Sequence, residues 1–73
     1  MFVTHDDFES SNVKSFSYDE DTSTLRMEFK SDNSEYEYYN VPKSEYEGLV
    51  AADSKGTYGH QNIYKRYGQA RIR

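Results

Sequence analysis

From Leu25 to Lys30 the chain alternates without a fault, with Leu25, Met27 and Phe29 on one side and Arg26, Glu28 and Lys30 on the other. Successive strand side chains point to opposite faces, so this run predicts a half-buried β-strand. Two neighbouring runs repeat the pattern. Phe16 and Tyr18 share one face of a segment that begins near Asn12, and Tyr36 and Tyr38 share one face of Glu35–Tyr39, with Tyr39 pointing the other way. Between them lie DEDTS (Asp19–Ser23) and SDNS (Ser31–Ser34), whose short polar side chains bond their own backbone and favour turns. Three strands joined by two turns predict an antiparallel meander with one covered and one polar face. Pairing Lys30 with Glu35 across the second turn sets Phe29 opposite Tyr36, Met27 opposite Tyr38 and Arg26 opposite Tyr39. It also sets Glu28 against Glu37, a like-charge pair that Arg26 or Lys30 would have to screen.

The period changes after Pro42. Proline suits the first turn of a helix, where its missing N–H would be unpaired anyway. Glu45 and Glu47 fall early, near the positive end of the helix dipole, and Tyr46, Leu49 and Val50 make one apolar stripe at helical spacing. Gly48 costs up to about 1 kcal/mol in a helix and predicts a close approach to the sheet. Gly56 is placed to end this helix as a left-handed cap. A second, short helix is predicted near Thr57–Tyr67, with Ile63 and Tyr67 on one face. Residues 1–10 are acidic, carry only Phe2, Val3 and Phe8 as apolar groups, and are expected to form a flexible acidic leader or at most an edge segment. The expected fold is therefore α+β: a three-stranded antiparallel β-meander covered by one helix plus a short C-terminal helix, in a single domain over residues 11–73.

Composition sharpens this picture at one point. A chain of 73 residues buries only about 60% of its unfolded surface, and with no cysteine it has no disulfide to stiffen it. Eight tyrosines and four phenylalanines must then supply much of the core, each hiding roughly 150–250 Å². Freedom from cysteine fits a reducing cytosol. The N-terminus lacks the basic and apolar regions of a signal peptide, and no apolar run approaches the ~20 residues that span a bilayer. The expectation is a cytoplasmic protein with no membrane contact.

Charge changes the picture more. All thirteen acids lie in residues 1–53, with four bases, for a net −9. Residues 54–73 (SKGTYGHQNIYKRYGQARIR) hold five bases and no acid. Lys55, Lys65, Arg66, Arg71 and Arg73 are interleaved there with Tyr58, Tyr64 and Tyr67. Cations neutralise phosphates and rings stack on bases, so the segment has the composition of a nucleic-acid surface. The plainer alternative is that the basic tail packs on the acidic meander and neutralises it. A third reading is an acidic protein partner. The overall charge of −4 weighs against nonspecific affinity for nucleic acid.

Other constellations carry less chemistry. His5, Asp6, Asp7 and Glu9 group metal-ligating types, but in a leader that offers no rigid cage, so no metal is expected. Ser54 and His60 lack the third group that orients a catalytic base, and a chain this small leaves little room for a desolvated pocket. Lys55-Gly56-Thr57 is a fragment of a phosphate loop without its further glycines or its preceding strand. Tyr36 and Tyr38 read as core rather than as a stacking platform. No catalytic residue and no small-molecule cofactor is expected.

The ordered series Ser11, Val13, Tyr18, Leu25, Phe29, Tyr36-Glu-Tyr38, Val41-Pro42, Ser54-Lys-Gly56-Thr-Tyr58, Asn62-Ile63 and Tyr67 resembles the KTSC domain over about residues 11–73. This is a small bacterial and phage module named for its occurrence at the C-terminus of some lysyl-tRNA synthetases. The hairpin before Tyr36 lacks the glycine often seen there, and Gly59 stands where the family has an aromatic. The residues together point to a non-catalytic binding module, and the resemblance adds RNA binding, suggested for similar proteins by the synthetase context. The leading reading is contact with RNA or tRNA through Lys55, Tyr58, Tyr64, Lys65, Arg66, Arg71 and Arg73. The alternative is a protein–protein interaction module, an accessory protein of bacterial or phage origin, using its charge dipole or an open strand edge.

Overall fold

The structure, a computed structural model, describes residues 1–73. It is α+β, with an antiparallel sheet of five strands in chain order. These are β1 (Phe2–His5), β2 (Val13–Asp19), β3 (Thr24–Phe29), β4 (Glu35–Tyr38) and β5 (Gln69–Arg71). Two helices, α1 (Lys43–Ala51) and α2 (Lys55–Asn62), lie between β4 and β5 in the chain and cover one face of the sheet. The expected meander is thus the middle of a wider sheet. Neither helix is long and apolar enough to cross a membrane.

Both additional strands correct the expectation. Phe2–His5, expected as part of a leader or at most an edge segment, is an edge strand that pairs with β2 from Phe2↔Asp19 to His5↔Phe16. Its side chains find partners on both faces. The Arg26 guanidinium sits 4.0 Å from the Phe2 ring centroid on the polar face. His5 stacks on Phe16 at 4.9 Å, and its Nε2 is 2.6 Å from the Tyr46 hydroxyl on the covered face. β5 has only three residues and pairs with β4 as Tyr36↔Arg71 and Tyr38↔Gln69. A run that short, with one apolar residue, leaves no period to detect.

The expected faces hold, but the register of β3 on β4 differs by two. Leu25 faces Tyr38, Met27 faces Tyr36, Arg26 faces Glu37 and Glu28 faces Glu35. A slip of two keeps every side chain on its face. The cause is the turn, which occupies Lys30–Asn33 rather than Ser31–Ser34. Asn33 takes a left-handed conformation (φ 56°). Asp32 Oδ1 accepts the Ser34 N–H at 3.1 Å, and the Phe29 N–H donates to the Ser34 carbonyl at 2.9 Å. Asparagine is among the few residues that adopt this backbone readily. In β2 a bulge sits between Val13 and Ser15, which oppose Phe29 and Glu28, so Lys14 is the extra residue. The bulge reverses the alternation, and Val13 and Phe16 both turn inward although three apart.

The core follows from those faces. Phe16, Tyr18, Leu25, Met27, Phe29 and Tyr38 rise from the sheet to meet Val41, Leu49 and Ile63. The tyrosine hydroxyls, expected to reach the rim, do not all do so: that of Tyr18 donates to the Val41 carbonyl at 2.6 Å inside the core. In α1, Pro42 is the N-cap and the stripe narrows to Tyr46 and Leu49, because Val50 is 41% exposed. Gly48 is required by α2 and not by the sheet, since a Cβ there would collide with the Tyr58 hydroxyl. Gly56 does not cap α1. It lies inside α2 without a left-handed φ, and α1 ends at Ala52.

Gly48→Ala should lower the melting temperature, even though alanine is the better helix former by about 1 kcal/mol. The methyl would displace Tyr58 from between the helices. In a Tyr58→Ala background the same substitution should be neutral or stabilising. A thermal-denaturation double-mutant cycle checks this, and equal losses in both backgrounds would show that Gly48 answers to something other than Tyr58.

Candidate functional site

Seven residues of the tail form the surface expected from sequence, and the structure scatters them. Ser54 caps α2, its Oγ accepting the Thr57 N–H at 3.2 Å. Lys55 then turns inward and is only 9% exposed. Its ammonium donates to the carbonyls of Val50 (2.9 Å) and Ala52 (2.6 Å), the unpaired end of α1, and lies 5.7 Å from the Phe8 ring centroid. A buried ammonium so engaged is structural, its donors turned to the chain's own carbonyls.

Two of the tyrosines are likewise occupied. Tyr58 donates to Glu45 Oε1 at 2.6 Å, and Tyr67 donates to Oε2 of the same carboxylate at 3.1 Å. The Glu45 hydrogen bond, with burial second, pushes the Tyr58 phenol up to about 12. Tyr64 enters the core, stacked on Tyr38 at 5.6 Å and edge-on to Phe29 at 5.7 Å. Burial pushes its phenol up to about 12, and its hydroxyl has no hydrogen-bond partner. Gly59 allows this, since a Cβ there would stand 2.7 Å from that hydroxyl. The space beside Gly59 is thus filled by the Tyr64 ring.

The two last arginines meet carboxylates by different routes, Arg71 from the position opposite Tyr36 toward the β3–β4 turn and Arg73 on the polar face of the sheet. Arg71 is 3.8 Å from Asp32. Arg73 lies 2.6 Å from Glu28 and 3.4 Å from Glu35, and so bridges the like-charge pair that the register creates. Arg26 Nε donates to Glu37 at 2.6 Å and holds that carboxyl below the usual range. To this extent the tail neutralises the meander.

Lys65 and Arg66 remain. Both are exposed on the turn between α2 and β5, and neither has a carboxylate within the 4.0 Å of an ion pair. The turn is well anchored. Gly59 O accepts the N–H groups of Ile63 and Tyr64, Arg66 N donates to Ile63 O, and Tyr39 N donates to Gly68 O at 2.8 Å. Lys65 has φ 69°, a left-handed conformation that a non-glycine residue adopts at a cost of roughly 1–3 kcal/mol. Tyr39, 37% exposed, adjoins this turn and bonds Glu37 at 3.0 Å.

Sequence reasoning missed a groove of about 360 Å³ beside this turn. One wall is the loop Ser10–Asn12. The other is the outer face of α2 continued by Tyr64: Thr57, His60, Gln61 and Tyr64, spaced i, i+3, i+4, i+7. A polar stripe at helical period was the available signal, but its partner loop lies more than forty positions away and carries no motif. The groove holds no acid, whereas the other two hollows are lined by Asp6 and Asp7 and by Asp19, Glu20 and Asp21.

The raised phenols predict alkaline instability with a definite sign. An ordinary phenol titrates near 10, while Tyr58 and Tyr64 hold their protons to about 12 in the folded chain. The unfolded chain releases them first, so their stabilising contribution is complete below pH 10 and drains away as pH climbs toward 12. Tyrosinate absorbance and far-ultraviolet circular dichroism should therefore change together in that range. Full ionisation of all tyrosines with circular dichroism intact would contradict the assignment.

Known proteins resemble this chain in sequence profile, in sequence and in structure. The profile of the KTSC domain matches residues 9–67. The lysine–tRNA ligases of Trichormus variabilis and Nostoc punctiforme are each 44% identical over 59 residues, covering 81% of this chain and 10% of the ligase. That of Nostoc sp. is 46% identical over 55 residues, 75% of this chain and again 10% of the ligase. This chain thus spans about a tenth of the length of these relatives. Among solved structures, the crystal structure of the KTSC domain protein YPO2434 from Yersinia pestis superposes with a TM-score of 0.86 at 25% identity, covering 97% of this chain and 100% of that one.

Proposed function

The chain belongs to the KTSC domain family, and from that premise we propose that it is a small non-catalytic module that contacts RNA, tRNA included, through the turn at Lys65 and Arg66. One observation carries the reading. Lys65 stands in a left-handed conformation that glycine or asparagine would adopt at less cost, and its ammonium engages no carboxylate. Strain kept at an exposed, unpaired cation points to a use for that cation outside the fold. Arg66 doubles the charge, and Tyr39 on the adjoining turn offers an exposed ring edge. The similarity to segments of lysine–tRNA ligases, enzymes that by their name handle tRNA, supports RNA as the ligand class. Of the seven residues expected from sequence, Lys65 and Arg66 form the contact, and Lys55, Tyr58, Tyr64, Arg71 and Arg73 build the body that presents it.

Lys65→Gly separates fold from function. It relieves the left-handed strain, offset in part by the greater freedom of glycine in the unfolded chain, so the melting temperature should hold or rise. Affinity for single-stranded RNA should fall. The log–log salt dependence should become shallower by about 0.7 for each phosphate that is no longer neutralised, measured by fluorescence anisotropy between about 50 mM and about 200 mM salt. Unchanged affinity in a stable Lys65→Gly/Arg66→Gln variant would remove this turn as the contact. No RNA binding by the wild type at the lower salt would replace the reading with that of a module for a protein partner.

A further inference from the structure

We infer that the groove between Ser10–Asn12 and the outer face of α2 seats one unpaired nucleotide. This deepens the RNA reading, on which it rests, by naming the part of the ligand that this second surface would hold. Three observations carry it. The first is size, since about 360 Å³ lies within the few hundred cubic ångströms of small-ligand sites and is ample for a base with its sugar.

The second is chemistry. The Asn12 and Gln61 carboxamides and the His60 imidazole line the groove, and none of these side chains takes part in the hydrogen bonds that hold the fold. A carboxamide offers one acceptor and two donors, the complement of a base edge, and an imidazole offers a ring to stack against. His60 already stands edge-on to Tyr64 at 6.3 Å.

The third is charge and position. This hollow alone among the three has no carboxylate to repel a phosphate. Lys30 stands at its rim, donating to the Ser10 carbonyl at 2.7 Å. Tyr64 in the wall is followed directly by Lys65 and Arg66, so a strand held by those cations can continue along α2 and place a neighbouring base in the groove.

The test uses the whole chain and two ligand series. Nuclear magnetic resonance titration with each of the four nucleoside monophosphates should shift resonances of Asn12, Thr57, His60 and Gln61. Anisotropy with short RNA homopolymers should show a base preference. In Asn12→Ala, His60→Ala and Gln61→Ala, all at exposed positions, the preference should flatten and the preferred homopolymer should bind about tenfold more weakly, with the salt slope unchanged. RNA bound with wild-type preference by these variants would overturn the groove assignment and leave the Lys65–Arg66 reading standing. Monophosphates that shift the groove while no RNA binds would support the groove and overturn the RNA reading. No shift with any monophosphate, together with no RNA binding, would overturn both.

Discussion

The structure depends on one buried ammonium. A helix leaves its last carbonyls without partners, and at the end of α1 those of Val50 and Ala52 would be among them. Lys55, the first residue of α2, reaches back to both of those carbonyls. The hydrogen bonds offset the cost of burying the charge, and they fold α2 against α1 within three linking residues, Ala52–Ser54. The rest follows from that corner. Tyr58 passes over Gly48 to reach Glu45, Tyr64 drops behind Gly59 onto Tyr38, and Gly68 meets the backbone of Tyr39. The corner sets where α2 begins, and with it the place of both the cationic turn and one wall of the groove.

The division of charge along the chain becomes a division of labour in space. Glu28 is held by Ser15, Lys14 and Arg73 together, and Glu37 by Arg26 and Tyr39. The polar face is therefore a lattice of opposed charges, each pair of modest value because it is open to water. The end of the tail completes this lattice, and the middle of the tail stands apart from it. Neutralisation, one of the rival readings of the segment, thus describes its last residues, and the proposed recognition concerns others.

The three central strands were legible because alternation survives any even slip, and the faces of Leu25, Met27, Phe29, Tyr36 and Tyr38 came with it. Register was not, since it depended on whether Lys30 or Ser31 opens the turn, and the left-handed Asn33 decides that. The bulge at Lys14 was hidden because it breaks the very period used to find strands. The edge strands were hidden by brevity. At the site, the cations Lys65 and Arg66 were legible as composition, but the fate of Lys55 was not. A lysine beside a glycine reads as a phosphate ligand, and only the distance to Val50 and Ala52 shows its role. The glycines misled similarly, because Gly48 and Gly59 answer to tyrosines ten and five positions away.

The corner also sets where this chain can change length. Each residue added between Ala52 and Lys55 would turn α2 by about 100° about its axis and carry the Lys55 ammonium away from the end of α1. Tyr58 and Tyr64 would leave their glycines at the same step. An insertion there thus breaks three interactions at once, however polar and exposed Asp53 and Ser54 are. The turn Glu20–Ser23 is tied to the rest only by the Ser23 carbonyl that accepts from Val41 and by exposed ion pairs of Glu20 with Lys43 and of Asp21 with the N-terminal ammonium. Variation in loop length should therefore collect at the hairpins, and the link between the helices, the stretch that looks most permissive, should keep its three residues.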